Sequence, residues 1–481
     1  MKNKKEIVMT IKSLDDLVLF VRKNKKVVLT IDEKKDICRS RKVLVEKMKT
    51  ERVYGANTGV GKSWDVDILP KDDEEFQRRL ILSHATNTGK LLERDSARGT
   101  LLLLINTLRK GFSGVSLETI EAIIDSYNSD IVPIIPERGS LGASGDLSPL
   151  SHQFLSLSEV KLKQGETIFL INGTHCCTSV LAFAVYEAQK IVKIADLAVA
   201  MTTEALQANT DTVYYNMSSL KEYMGLHISE ENAQMLFDMN SPDYSPRTSS
   251  LQDAYSLKCF PHVHGGIRDF INFYADIVSR EIRSISLNPV VFTNINQIRC
   301  GGNFHAHSIA LAGDCSSVAL VGLGGISQAR IGRMLDEDCS NGLPPFLSSK
   351  PGINPGLMIS GYSSGASLSW SKILSRPASV DSVSVSAGQE DFVSMAANAT
   401  LKARDSVEEV RNILAVELLC ASHALKFREV KIPDSLAKIR DLILDRTKNM
   451  LITESVSEAI NNIAKLIKSG EILEALPVYL F

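Results

Sequence analysis

The 481-residue chain is long enough to bury a sizeable core, as one large or two to three ordinary domains. Hydrophobic residues make up 44% and charged residues 23%, the balance of a soluble globular protein. A formal net charge of -2 gives no electrostatic reason to expect nucleic acid or an anionic membrane as partner.

In chain order, the basic start Met1-Lys2-Asn3-Lys4-Lys5 has no apolar stretch behind it and does not read as a signal peptide. A short apolar segment, Val27-Val28-Leu29-Thr30, precedes the glycine-rich turn Tyr54-Gly55-Ala56-Asn57-Thr58-Gly59-Val60-Gly61. Residues 74–108 carry a helical pattern broken at Asn87-Thr88-Gly89-Lys90. The strongest apolar run, Leu101 to Ile105, is far too short to span a bilayer. From about residue 175 long helices are expected. Residues 178–208 and 309–335 mix Ala, Gly and Ser with larger apolar residues, which lets neighbouring helices approach closely. Residues 398–425 place Val407, Val410, Leu414, Leu418 and Ala421 on one stripe. A last helix starts near Ser455, with Glu458 completing a capping box, and stops at Gly470. Strand signals are sparse. The pattern predicts a mainly α protein: a long-helix bundle core with a mixed N-terminal domain. Its consecutive division is residues 1–200, a central bundle over 201–400 and a helical part over 401–481.

Eight scattered cysteines form no C-x-x-C pair, which fits reduced thiols and a cytoplasmic location. His262 with His264, and His305 with His307, have no further ligands at a recognised spacing, so no metal is expected.

The most informative stretch is Gly142-Ala143-Ser144-Gly145-Asp146. Its plain reading is a Gly/Ser-rich loop bounded by prolines. Its chemical reading rests on the order Ala-Ser-Gly. The backbone nitrogen of Gly145 can attack the carbonyl of Ala143, because a residue without Cβ lets the chain fold that tightly. Dehydration of Ser144 then leaves an exocyclic methylene, an electrophile that no ordinary side chain offers.

These residues resemble the signature of the methylidene-imidazolone ammonia-lyases and aminomutases, and further motifs follow in that family's order. They are Tyr54-Gly55-x-x-Thr58-Gly59-x-Gly61, Ser83-His84, Asn172-Gly173-Thr174, Gln252-Asp253-x-Tyr255-Ser256-Leu257-Lys258, Asn288-Pro289, Gly302-Asn303-Phe304-His305-Ala306 and Gln389-Glu390-Asp391. The resemblance implies the ammonia-lyase (fumarase/aspartase-like) superfamily architecture. It also implies a prosthetic group formed from Ala143, Ser144 and Gly145, no diffusible cofactor, and a homotetramer with sites shared between chains. By resemblance, Tyr54 takes the β-proton through a phenol of depressed pKa, and its flanking glycines give a lid. Asn172 and Tyr255 bond the ring and the amine; Gln252 and Asn288 orient the substrate backbone. Phe304 packs beside the ring, Lys258 stands at the substrate carboxylate, and Glu390 faces the side-chain end. Ser83-His84 and Gln389-Glu390 look like the histidine enzymes, which makes histidine the first substrate expected and a urocanate-type acid the product.

Four departures bear on that expectation. Lys258 replaces an arginine, His307 a glutamate and Phe392 a histidine, while Trp370 enters a Ser-x-x-Lys stretch and is expected near the core. Asn172 also follows His152 by only twenty positions, a shorter connection than in the histidine enzymes. Phenylalanine or tyrosine lyase, 2,3-aminomutase, a lyase for a modified histidine and an inactive relative therefore remain as alternatives.

Overall fold

The computed structural model describes residues 11–157, 159–242 and 244–481. Helices dominate it, and among the described residues only two small antiparallel sheets occur. The chain groups into two compact units, each gathered from three stretches. The first comprises Met1–Tyr186, Tyr274–Asp314 and Pro377–Arg404; the second comprises Glu187–Phe273, Cys315–Arg376 and Asp405–Phe481. The consecutive division expected at residues 200 and 400 follows chain order, whereas contacts regroup stretches far apart in sequence.

In the first unit, helix Arg94–Leu108 is buried on every side from Ser96 onward. A helix covered all round, with its buried polar residues Arg98, Thr100 and Asn106 hydrogen-bonded, belongs at the centre of a core. Gly99 lets it lie against the start of helix His175–Ala205, since a Cβ there would stand 2.2 Å from Ser179 Oγ. The break expected at residues 87–90 is a strand. β1 (Thr88–Leu91) pairs with β2 (Pro136–Arg138), a partner that no local pattern reveals. The pairing brings the chain just before Gly142 alongside the end of helix Asp73–His84. The second sheet, β3 (Val290–Phe292) with β4 (Gln297–Arg299), leads into Gly301 and Phe304.

In the second unit the expected stripe is buried as read: Val410, Leu414, Leu418 and Ala421 are fully covered on helix Ala396–Ala424. Ser455 caps helix Val456–Ser469 through a capping box with Glu458, and Gly470 ends it at φ +92°. Trp370 is not near the core. It is 53% exposed on helix Met358–Leu374, because its neighbour Ser371 takes the buried face.

Leu101 to Ile105 is also not the chain's strongest apolar stretch. Helix His307–Leu335 is long and apolar enough, by length and composition, to cross a membrane. More than half of that stretch is buried within the protein. In the first unit its Asp314 accepts the backbone N–H groups of Ala378 and Ser379 and pairs with Lys402 at 3.0 Å. In the second unit its Arg330 pairs with Glu417. Satisfied charges of this kind mark a core helix.

Candidate active site

The loop carrying Ser144 is shaped within the first unit by a tight backbone turn and by side chains that anchor its ends. Gly145 donates its N–H to the Gly142 carbonyl at 3.2 Å, closing a turn with Ala143 and Ser144 at its corners. Ser144 sits at φ +48°, a left-handed conformation that costs a non-glycine residue strain and curls the chain back on itself. Gly145 itself, at φ +77°, bridges to Gly173. A Cβ at this position would stand 2.2 Å from the Gly173 carbonyl oxygen and 3.1 Å from that of Phe304.

Asp146 anchors the next residue. Its carboxylate accepts the backbone N–H groups of Cys176 at 2.8 Å and Cys177 at 2.9 Å, at the start of helix His175–Ala205. The free donors of a helix N-terminus suit an anion. Burial nevertheless pushes the Asp146 carboxyl up to about 6 against those hydrogen bonds.

Ser144 opens into a cavity of about 200 Å³, also lined by Tyr54, His84, Asn172, Ser386 and Glu390. Leu80, Ile168 and Ile171 supply its apolar wall. The Ser144 hydroxyl donates to Glu390 Oε1 at 3.3 Å. The Asn172 side-chain oxygen is buried and has no hydrogen-bond partner, an acceptor left over in a site otherwise closed by backbone pairing. His84 Nδ1 lies 2.8 Å from the Leu80 carbonyl, which only accepts, so Nδ1 carries the proton and Nε2 is the free acceptor. Burial holds the His84 imidazole below its ordinary pKa, and therefore neutral.

Tyr54 departs from expectation in one respect. Its hydroxyl accepts the Gly61 N–H at 2.9 Å, which favours the phenolate. Burial and, to a smaller extent, the Glu390 charge outweigh that bond, and the phenol lies above the ordinary tyrosine range rather than below it. The glycines beside it answer to space: Gly55, at φ +68°, could not carry a Cβ, which would come 2.7 Å from Ile168 Cγ1. The turn is pinned further by Thr58, whose hydroxyl accepts the Gly55 N–H and donates to the Gly59 carbonyl.

Not every expected residue reaches this cavity. Ser83 is exposed and donates to the Leu80 carbonyl; Gln389 is exposed as well, and neither lines the cavity. Asn288 is buried, and its side-chain oxygen accepts the Gly301 N–H at 2.9 Å. It therefore fixes the turn leading to Phe304, whose carbonyl flanks Gly145 and whose side chain is not among the lining groups. Two of the departures meet: His305 and His307 each place their ring 6.0 Å from Phe392, His305 stacked and His307 tilted. Sequence reading missed Ser386 and the anchoring role of Asp146. Only adjacency to Gln389-Glu390 and to Gly145 could have pointed to them.

The second unit brings Gln252, Tyr255 and Lys258 together. Lys258 Nζ bonds the Gln252 side-chain oxygen and lies 5.1 Å from the centre of the Tyr255 ring, which is 76% exposed.

The sequence matches the family described as aromatic amino acid lyase over residues 13–158 and 153–445. It is 37% identical to a histidine ammonia-lyase of Caldanaerobacter subterraneus subsp. tengcongensis, covering 96% of each chain. Among solved structures, histidine ammonia-lyase from Trypanosoma cruzi is similar with a TM-score of 0.86 and 31% identity, over 96% of this chain and 93% of that one. Tyrosine aminomutase from Streptomyces globisporus is similar with a TM-score of 0.89 and 26% identity, over 98% of both. With the Ser144 turn, its glycine contacts and Tyr54, His84, Asn172 and Glu390 around one cavity, these likenesses place the chain in the aromatic amino acid lyase family.

Proposed function

We propose that the protein eliminates ammonia from histidine, giving an α,β-unsaturated acid of the urocanate type. The observation that carries this reading is the cavity in which Ser144 faces both Glu390 and a neutral His84. The curled Ser144 backbone, the Cβ-free approach of Gly145 to Gly173 and the unpartnered Asn172 oxygen fit a methylidene-imidazolone built from Ala143, Ser144 and Gly145. When formed, that group supplies an electrophilic carbon that converts the substrate's amine into a good leaving group. The chain's own residues do the rest. Glu390 accepts an N–H of the substrate imidazole, and His84 Nε2 offers a second acceptor. Asn172 accepts from the substrate amine. Tyr54 takes the β-proton, while Leu80, Ile168 and Ile171 keep water from the reacting atoms.

The exposed cluster of Gln252, Tyr255 and Lys258 supports a homotetramer in which a site draws on more than one chain. So do the exposed Ile359, Tyr362, Trp370 and Ile373 on helix Met358–Leu374 and the exposed Phe270 and Phe273. All eight cysteines are unpaired, which supports a cytoplasmic location.

The test is incubation of purified protein with histidine, phenylalanine and tyrosine, following ultraviolet absorbance and ammonia. Urocanate and ammonia from histidine are expected, and Ser144→Ala abolishes both. Cinnamate or coumarate in place of urocanate would move the substrate, and a β-amino acid without free ammonia would make the enzyme an aminomutase.

A further inference from the structure

The segment bearing Tyr255 and Lys258 is a four-residue helix, Tyr255–Lys258, closed by Lys258 and Cys259 amides on the Ala254 and Tyr255 carbonyls at 3.1 and 2.8 Å. So short a helix leaves its later carbonyls without partners. One of them, that of Ser256, accepts from Arg330 Nη1 at 3.2 Å. The same guanidinium donates through Nε to Glu417 Oε1 at 2.5 Å and through Nη2 to Oε2 at 2.9 Å. Glu417 is completed by the hydroxyls of Thr202 at 2.9 Å and Ser327 at 2.5 Å. Both charged side chains are wholly buried. All of these groups belong to the second unit.

A buried pair of this kind is a poor source of stability, because desolvation offsets most of the attraction and an apolar pair of similar volume does as well. What it does supply is a donor whose direction is fixed by two bonds to one carboxylate. We infer that Arg330, held by Glu417, is a positioning residue: it fixes the Ser256 carbonyl and so the orientation of Tyr255 and Lys258 toward substrate. This rests on the lyase reading for its effect on catalysis, and on the second unit's geometry alone for its effect on the segment. Thr202 and Ser327 serve the same end by fixing the Glu417 rotamer.

The experiment uses the assembled full-length protein and three variants: Arg330→Lys, the double change Arg330→Met with Glu417→Leu, and Lys258→Met for comparison. Hydrogen exchange of the Leu257, Lys258 and Cys259 amides is expected to quicken at least about tenfold in the first two, with the double variant melting close to the parent. With histidine, all three variants are expected to raise KM at least about tenfold. A merely structural loss would lower kcat through fewer active molecules and leave KM alone. Unchanged exchange together with an unchanged KM would overturn the inference. If the parent protein does not turn over histidine, the lyase reading falls, and the exchange measurement still decides the positioning role. Should the double variant fail to fold, Arg330→Lys decides by the same two readouts.

Discussion

The two regions that carry expected site residues are built in opposite ways. Around Ser144 the first unit closes on itself: glycine against carbonyl, Asp146 on two helix amides, and a small cavity with an apolar wall. Around Tyr255 the second unit opens outward, with a mostly exposed phenol and a lysine bonded to its local neighbours Gln252 and Tyr255. The difference teaches that the loop carrying Ser144 is shaped by groups of its own unit. The Tyr255 cluster has a fixed backbone but no completed surroundings. The largest effect should therefore come from the closed region. Gly145→Ala meets the Gly173 oxygen at 2.2 Å and requires φ +77°. It should abolish activity, and intact-mass spectrometry should show a chain heavier than the parent by the added methylene and by the two waters otherwise lost in forming the ring. A Gly145→Ala protein with the parent's water loss would break the steric argument.

Glu390→Gln should come next. The substitution keeps the shape but exchanges a charged acceptor for a neutral one, and hydrogen bonds to charged groups contribute about 1.5–3 kcal/mol. KM for histidine should rise about 10- to 100-fold, with smaller change for an analogue lacking the ring N–H. Equal losses for both compounds would mean that Glu390 does not meet the substrate imidazole.

How much of this was legible in the sequence depends on the range of the cause. The capped helix from Ser455 to Gly470 and the stripe on Ala396–Ala424 depend on neighbours three or four residues away, and both were read correctly. The strand at Thr88–Leu91 depends on Pro136–Arg138 and looked like a mere break. Trp370 was expected near the core from the Ser-x-x-Lys stretch it enters, while helix phase turned that face outward. In the site, successive residues were named in pairs and only one of each pair arrived. Ser83 and His84 stand about 100° apart on one helix, so a single cavity receives His84 alone. Gln389 and Glu390 end a tight turn that pairs Val385 with Glu390 and leaves Gln389 outside. Tyr54 was read with a depressed pKa because its task needs one, whereas burial in this geometry raises it.

That reversal gives the third prediction, a pH profile. With the phenol above the ordinary range, Tyr54 is protonated at neutral pH and its base form grows about tenfold per pH unit on the way up. Activity should therefore climb with pH into the alkaline range, and Tyr54→Phe should remove both the climb and most of the rate. A plateau reached near pH 8 would show that bound substrate or another chain brings a positive group to the phenol.

The smallest effect belongs to a conservative change in the open region. Lys258 is a single ammonium already bonded to Gln252 and lying over the Tyr255 ring. A guanidinium at this position keeps the charge and the ring contact, and adds a second parallel donor matched to a carboxylate. If the cluster meets the substrate carboxylate, Lys258→Arg should lower KM for histidine about three- to tenfold while kcat stays near the parent's. The paired measurement is with histidinamide, which lacks the carboxylate and should gain nothing from the change. A gain shared by both compounds would mean that the longer side chain merely stiffens the Tyr255 helix. No gain for either, with Lys258→Met equally silent, would leave the cluster outside the site and confine the chemistry to the closed region around Ser144.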